Sequence, residues 1–459
     1  MTKRSIASNK LWKLGINDFN TQYFDFNKDG DLIAKEGNNV YNIRYLAEKF
    51  GTSLEILFPY IIEERVEDLL DLAASIIKKL KYQGKFFYHY PMKASQTKEV
   101  VMAMVGEGAN IEVSSYNELY IIKKMLEQES FNEKIRILCN GPKTDKYINL
   151  IDELQHRGLK VIPIIEGPNE LKTFQFSKYD VGIRLDIPIK SKVDPTKQVD
   201  RFGFPKNELL KLASFKNLKI LHFRLGKLEK TRDIIETAKS AMDVYTKLKE
   251  KNPSLDSIDI GGGMPIPYER NKKYSTEKIL EKLFEMLKKE SEKREIPHPN
   301  IICEWGKFMV APAQITIFKV IDTKPIRNKN IKANKWYVID GSLMNDLIDT
   351  WGPLEQKWFV APLNNRLDNK LEDVWISGSS CDSDDIYTGI GGSVTLPDYN
   401  YDENEPFYIV FFDTGAYQDA LASHHCMLSS PIKIVAENGH IVVARKRESP
   451  EDVGKEFGW

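Results

Sequence analysis

The stretch Ser257-Ile-Asp-Ile-Gly-Gly-Gly-Met-Pro265 runs a short β-rich segment straight into three glycines and a proline. Isoleucines suit a strand, and the glycines punctuate its end. The same texture recurs on both sides. Strands are expected at Phe86–Tyr90, Asn110–Val113, Ile135–Cys139, Lys160–Ile164, Val181–Asp186, Lys219–Phe223, Ser257–Ile260 and Asn300–Glu304. Amphipathic stretches lie between most of them, such as Tyr116–Leu126, Lys146–His156, Thr231–Lys249 and Thr276–Arg294. The last carries Ile279, Leu280, Leu283, Phe284, Met286 and Leu287 as an apolar stripe at helical spacing. Eight strands alternating with crossover segments predict an α/β fold of the (β/α)₈ TIM-type barrel kind. A doubly wound open sheet gives a similar string, so the pattern alone favours the barrel only modestly.

After about residue 325 the long helical stripes vanish. β-type runs follow at Lys335–Ile339, Asp373–Ile376, Phe407–Phe412, Ile432–Val435 and His440–Ala444, separated by turn clusters such as Gly389-Ile-Gly-Gly392. These runs predict a second, β-rich domain (a β-barrel or sandwich). The first 50 residues read as extended, with Asn27-Lys-Asp-Gly-Asp31 as a hairpin-like turn, and are expected to join it. The division expected is 1–50 for this N-terminal segment, 51–320 for the barrel and 321–459 for the C-terminal β domain.

Lys plus Arg equals Asp plus Glu at 66 each, which argues against nucleic-acid or anionic-membrane partners that depend on a global field. A small charged substrate stays open, because an active site is local. Met1-Thr-Lys-Arg-Ser-Ile-Ala-Ser8 lacks the apolar stretch of a signal peptide, and no apolar run is long enough for a membrane helix. Cys139, Cys303, Cys381 and Cys426 stand far apart without a CxxC pair, so a disulfide framework is not expected and at least three read as buried thiols. The seven histidines show no HExxH or HxH spacing. The expectation is a cytoplasmic protein with no metal.

Several residues at strand ends carry chemistry. Lys93, in Tyr90-Pro-Met-Lys-Ala-Ser95, ends the first barrel strand, where side chains point into the catalytic mouth. Desolvation there frees an amine for covalent chemistry, although most lysines at strand ends are solvated. Gly261, Gly262 and Gly263 either make a tight βα turn or let backbone N–H groups cradle a phosphate. Glu304 closes the eighth strand and either holds a pyridinium nitrogen or pairs with a neighbouring base. Cys381 sits among Asp382, Asp384 and Asp385, where negative neighbours make its thiol a better proton donor than nucleophile. The carboxylates suit a cationic side chain or a solvated turn, and for Asp385 the turn is expected. Tyr417, in Gly415-Ala-Tyr-Gln418, offers a hydroxyl or simply packs.

In order, these pieces resemble the fold-type III pyridoxal-phosphate decarboxylases, the superfamily of alanine racemase and the ornithine, diaminopimelate and arginine decarboxylases. The likeness runs over nearly the whole chain and is strongest to the biosynthetic arginine decarboxylases. It rests on Gln22-Tyr-Phe-Asp-Phe-Asn-Lys-Asp-Gly30, Pro91-Met-Lys-Ala94, Cys139-Asn-Gly-Pro-Lys143, Arg201-Phe-Gly-Phe204, Leu221-His-Phe223, Asp259-Ile-Gly-Gly-Gly263, Ile296-Pro-His-Pro299, Cys381-Asp-Ser-Asp384 and Asp413-Thr-Gly-Ala-Tyr-Gln418. Leu396-Pro-Asp-Tyr-Asn400 adds to it.

The resemblance implies pyridoxal 5'-phosphate as cofactor, with Lys93 as the Schiff-base lysine. Gly261, Gly262, Gly263 and Tyr417 would hold the phosphate, Glu304 would face the pyridine nitrogen, and Arg184 would support the ring-hydroxyl end. Cys381 would protonate the substrate carbon across a homodimer interface, in sites shared between subunits that can assemble further. Asp382 would meet the distal cation, with Asp384 as a second partner.

Three positions depart from the family pattern. Arg224 replaces the histidine that stacks on the cofactor, Lys227 replaces a small hydroxyl, and Lys307 replaces an arginine at the phosphate. The implied reaction is decarboxylation of a basic amino acid, arginine to agmatine first, as in polyamine biosynthesis. Diaminopimelate, ornithine or lysine (L or D) is the alternative, Arg224 keeping diaminopimelate open. A racemase on the same fold and a non-catalytic relative rank lower.

Overall fold

The computed structural model describes residues 11–16, 20–128, 135–187, 201–212, 214–224, 231–266, 275–350, 357–364 and 370–459. These fall into two compact units: Met1–Ile62, Ile266–Lys273 and Val310–Trp459 make one, and Glu63–Pro265 with Tyr274–Met309 make the other.

The second unit is a closed barrel. Its eight strands are Phe86–Pro91, Asn110–Val113, Arg136–Cys139, Lys160–Ile165, Val181–Asp186, Leu218–Phe223, Ser257–Asp259 and Asn300–Cys303. Each pairs in parallel with the next, and the eighth pairs with the first through Ile301 opposite Phe86. An open doubly wound sheet is thereby excluded. The expected strand limits hold to within a residue or so, because each run ends at a turn residue or at the polar end of its apolar pattern.

Strand periodicity decides which side chains enter the barrel. Leu138, Ile162, Ile164, Ile220 and Ile302 form its interior, with Phe87 packed against them. Side chains alternate between faces, and register-paired neighbours share one. Two residues onward from this layer stand Asn140, Glu166, His222 and Glu304. Glu112 shares the face of Leu138, and Asp259 that of His222 and Ile302, through direct register pairing. One parity thus carries an apolar floor and, above it, a polar crown.

Helices clad the outside. In Thr276–Lys293, the Ser275 side chain accepts from the Lys278 N–H, while Ile279, Leu280, Leu283, Phe284 and Leu287 are buried. A 22-residue helix, Pro59–Leu80, lies outside the expected set.

In the first unit, the strand path runs Ile386–Tyr387, Leu371–Ser377, Lys335–Ile339, Gln314–Pro325, Leu54–Leu57, Ile432–Glu437 and His440–Arg445. Leu54–Leu57 is antiparallel to Gln314–Pro325 and parallel to Ile432–Glu437, so an N-terminal segment completes a C-terminal sheet. The long strand Gln314–Pro325 is buried over its first five residues, Gln314 and Thr316 included. Phe318, Tyr337, Trp358, Ile376, Leu396 and Phe411 centre the core. Phe24–Phe26 and Leu32–Glu36 form the expected hairpin around Asn27–Asp31, with Gly30 at φ +83°. Ile43–Phe50 is helical where extended chain was expected: Asn42 caps it, and Ile43, Leu46 and Ala47 bury one face.

Gly182 tests the barrel parity. A Cβ there would meet Ile164 Cδ1 at 2.3 Å and Ile220 Cβ at 3.2 Å. Gly182→Val should destabilise the fold by about 1–3 kcal/mol or more, seen as a lower midpoint in urea unfolding. An unchanged midpoint would show that this position does not face the packed interior.

Candidate active site

Lys93 stands in the 3₁₀ turn Met92–Ala94 that follows the first barrel strand. Its Nζ donates to Glu112 Oε2 at 2.7 Å. Glu112 is fully buried, and its other oxygen accepts from Ser114 Oγ at 2.7 Å. The lysine side chain is 43% exposed, so the desolvation expected for it is replaced by an ion pair that aims an accessible amine. Sequence reasoning missed Glu112, although a glutamate inside an apolar strand was the available signal.

At the end of the eighth strand, Glu304 is buried and accepts from Asn140 Nδ2 at 2.9 Å. His222 Nε2 lies 3.8 Å away. Asp259 completes the set, the three residues each offering an atom within 4.8 Å of the others. They come from three strands, which is why no local histidine spacing revealed them. Burial, reinforced by Asp259 and Glu112, holds the Glu304 carboxyl well above the usual carboxylate range. Burial pushes Asp259 up to about 7, although the Gly261 N–H donates to it at 2.9 Å. Burial, with Arg184 and Lys93 adding to it, lowers His222 and keeps the imidazole neutral. Glu304 therefore sits beside a neutral amide, a neutral ring and a second acid, Asp259, and His222 is its one ion-pair candidate among the described residues.

Arg184, nearly buried, donates through Nη1 to Glu166 Oε1 at 2.7 Å. Glu166 is braced in turn, because its N–H donates to Glu170, which also binds the fully buried Lys143 Nζ at 3.0 Å.

The glycine turn lies against these groups. Gly261 has φ +65°, and a Cβ on it would stand 2.9 Å from Phe223 O. A Cβ on Gly262 would stand 2.9 Å from Glu304 O, so larger residues do not fit. Gly263 is exposed, with φ +115°. Arg224 is exposed at the end of the sixth strand, on the parity of His222, and Lys307 is half-buried in the helix Gly306–Val310. Lys227 lies outside the described residues.

The crown leaves buried polar atoms for a polar cofactor to meet. Asn140 Oδ1, Glu166 Oε2, His222 Nδ1 and Asp259 Oδ2 are buried without a hydrogen-bond partner among the described residues. Buried polar atoms of this kind call for a ligand or water.

The remaining expected residues belong to the other unit. Cys381 is exposed, with its Sγ 3.6 Å from Cys426 Sγ. The Cys426 contact raises the Cys381 thiol, and Asp382 adds to the effect. Asp382 Oδ2 stands 3.5 Å from His425 Nε2, and Oδ1 accepts from the exposed Asp384 N–H at 2.9 Å. Asp385 corrects the solvated-turn expectation. It is fully buried and accepts from Ser342 Oγ, Leu343 N–H, Ser380 N–H and Ser380 Oγ at 2.6–3.2 Å. It pins the loop that carries Cys381. The cysteine expectation is also corrected: Cys139 and Cys303 are buried, but Cys381 and Cys426 are exposed and adjacent. Their separation of 45 residues hid a spatial contact. Tyr417 is half-buried at φ +70° and begins the short helix Gln418–Leu421. A Cβ on Gly415, two residues earlier, would come within 2.0 Å of Val310 O.

A family model described as pyridoxal-dependent decarboxylase, pyridoxal binding domain, matches residues 68–311, more than half of the chain. The chain belongs to this pyridoxal-dependent decarboxylase family. The matched span holds the barrel, and pyridoxal phosphate is the cofactor of this family.

Among curated relatives, a biosynthetic arginine decarboxylase of Phocaeicola vulgatus is 26% identical over 385 residues, covering 75% of this chain and 60% of its own. The biosynthetic arginine decarboxylase of Bacteroides thetaiotaomicron is also 26% identical, and the match spans 54% of its length. This chain thus spans between half and two thirds of those two proteins. One from Shewanella denitrificans is 24% identical, covering 85% of this chain and 81% of its own. Among solved structures, the biosynthetic arginine decarboxylase of Campylobacter jejuni superposes with TM-score 0.80 at 20% identity, covering 100% of this chain and 92% of that one. Diaminopimelate decarboxylase of M. jannaschii gives 0.77 at 22%, covering 95% and 98%. At such identities these two likenesses speak for the fold. Among the described residues, no helix is long and apolar enough to cross a membrane.

The raised carboxyls make a pH prediction. A carboxyl raised in the fold binds its proton more tightly there than in the unfolded chain, so its contribution is complete below the ordinary value of 3.8 and is lost as pH rises through about 7. In cofactor-stripped protein, Tm should fall over that window, and Asp259→Asn should flatten the fall. A wild-type profile as flat as that of the variant would contradict the buried pair.

Proposed function

We propose that this chain decarboxylates L-arginine to agmatine and carbon dioxide in the barrel mouth. The observation that carries the chemistry is the pairing of an accessible, ion-paired Lys93 with a buried Glu304 that lacks a permanent cation partner among the described residues. Arginine as substrate is supported by the names of the curated relatives and by the carboxylate of Asp382 beside Cys381.

When bound, pyridoxal phosphate supplies an electron sink for the pair released as the α-carboxylate leaves. Lys93 would hold the cofactor covalently, and its ion pair with Glu112 aims the amine before the cofactor arrives. Glu304 would face the pyridine nitrogen: a buried carboxyl crowded by Asp259 and Glu112 gains from a protonated ring. Arg184, held by Glu166, would support the ring-hydroxyl end, and Arg224 would lie over the ring face. Gly262 and Gly263 would offer N–H groups to the phosphate, while the Gly261 N–H is committed to Asp259 and its glycine serves the close approach to Phe223. Tyr417 and Lys307 would add a hydroxyl and a point charge to the phosphate. Cys381, its thiol raised and so kept protonated, would deliver a proton to the substrate carbon. Asp382 would meet the guanidinium, with Asp384 as second partner. We place these sites in a cytoplasmic homodimer in which each subunit lends its Cys381 loop to the other.

Carbon dioxide release should be measured on cofactor-loaded protein with L-arginine, L-ornithine, L-lysine and meso-diaminopimelate offered separately. Release from arginine, with matching agmatine, is expected. Release from diaminopimelate instead would transfer specificity to Arg224. Cys381→Ala should slow turnover roughly 10²–10⁴-fold, and a near-normal rate would remove it as the acid.

A further inference from the structure

We propose that Cys381 and Cys426 form a reversible intrachain disulfide, a modification site open to hydroperoxides that silences the proton donor. The silencing rests on the decarboxylation reading of Cys381; the disulfide itself does not.

The two sulfurs lie 3.6 Å apart, and both cysteines are exposed. Each stands on a braced segment, so the approach is built into the fold. The Cys381 loop is pinned by buried Asp385 through four hydrogen bonds. The segment carrying Cys426 is tied by Asn345 Nδ2 donating to His425 O at 3.2 Å, and by His424 Nε2 at 2.8 Å from Glu448. Asp382 and His425, the neighbours of the two cysteines, face each other at 3.5 Å and draw the segments together a second time. Cys426 and Met427 both adopt positive φ, 58° and 55°, a conformation L residues rarely take without surrounding structure that holds it. Bond formation needs the sulfurs to close from 3.6 Å to about 2 Å.

The chemistry balances with hydrogen peroxide as oxidant. One cysteine sulfur attacks a peroxide oxygen, the O–O bond breaks, and a sulfenic acid and water form. The second thiol attacks the sulfenic sulfur, the S–O bond breaks and a second water leaves. The protein loses two protons and two electrons, and peroxide is reduced to water. A dithiol reverses the change by exchange.

The test treats the full-length, cofactor-loaded protein with hydrogen peroxide, then reads intact mass, the linked peptides of an unreduced digest, and carbon dioxide release. A mass loss of about 2 Da, a Cys381–Cys426 peptide and a roughly 10²–10⁴-fold loss of release, restored by dithiothreitol, are expected. Cys426→Ser should keep full release before treatment, give no linked peptide, and lose the thiol-reversible inactivation. Thiol consumption without that peptide, as sulfinic acid or a link between chains, would overturn the disulfide. A linked peptide with full release would uphold the disulfide but overturn the silencing and the acid role of Cys381, whatever the substrate.

Discussion

Of the carboxylates buried in the barrel mouth, Glu166 is paired with Arg184, and the rest of the site follows from how Glu112, Asp259 and Glu304 are satisfied. Burying unpaired charge is costly enough that such groups find a cation, shift towards the neutral form, or recruit a ligand. Glu112 takes the first route through Lys93, and this fixes the amine. Asp259 takes the second and holds the Gly261 N–H, which sets the glycine turn against the ends of the neighbouring strands. Glu304 is left with Asn140, a histidine kept neutral and the neighbouring acid Asp259, an environment that favours a positively charged group beside it. The protonated pyridine ring proposed above would meet that requirement.

The β unit obeys a related constraint at a distance from the barrel in sequence. Asp385 is buried with its four donors, so the loop bearing Cys381 and Asp382 is held from beneath by one carboxylate. The turn bearing Tyr417 is held by close packing, since Gly415 touches the backbone of Val310. In both places a residue with no direct chemistry positions those proposed to have it.

Much of the fold was legible in the sequence because strand ends coincide with turn residues and the outer helices carry clear stripes. Leu54–Leu57 and the start of Gln314–Pro325 were not, because polar residues there (Glu55, Gln314 and Thr316) are buried too, so polarity does not mark a solvent face. Lys93, Glu304 and the glycines were legible as strand-end residues. Glu112, Asn140, Glu166 and Asp259 were not given roles, since their meaning depends on which parity faces inward, which emerges only when eight strands close. The contact between Cys381 and Cys426 and the burial of Asp385 were hidden for a similar reason: local composition describes an acidic turn, and only tertiary packing decides which of its residues turn inward.

The most direct test of the barrel mouth as the cofactor site is covalent trapping. Protein loaded with pyridoxal phosphate would be reduced with borohydride, digested, and the modified peptide located by mass spectrometry. A single modified lysine at Lys93, with trapping weakened in Glu112→Gln, is the result predicted here. Modification at another lysine, or none, would contradict the assignment of the crown around Glu304 as the cofactor site.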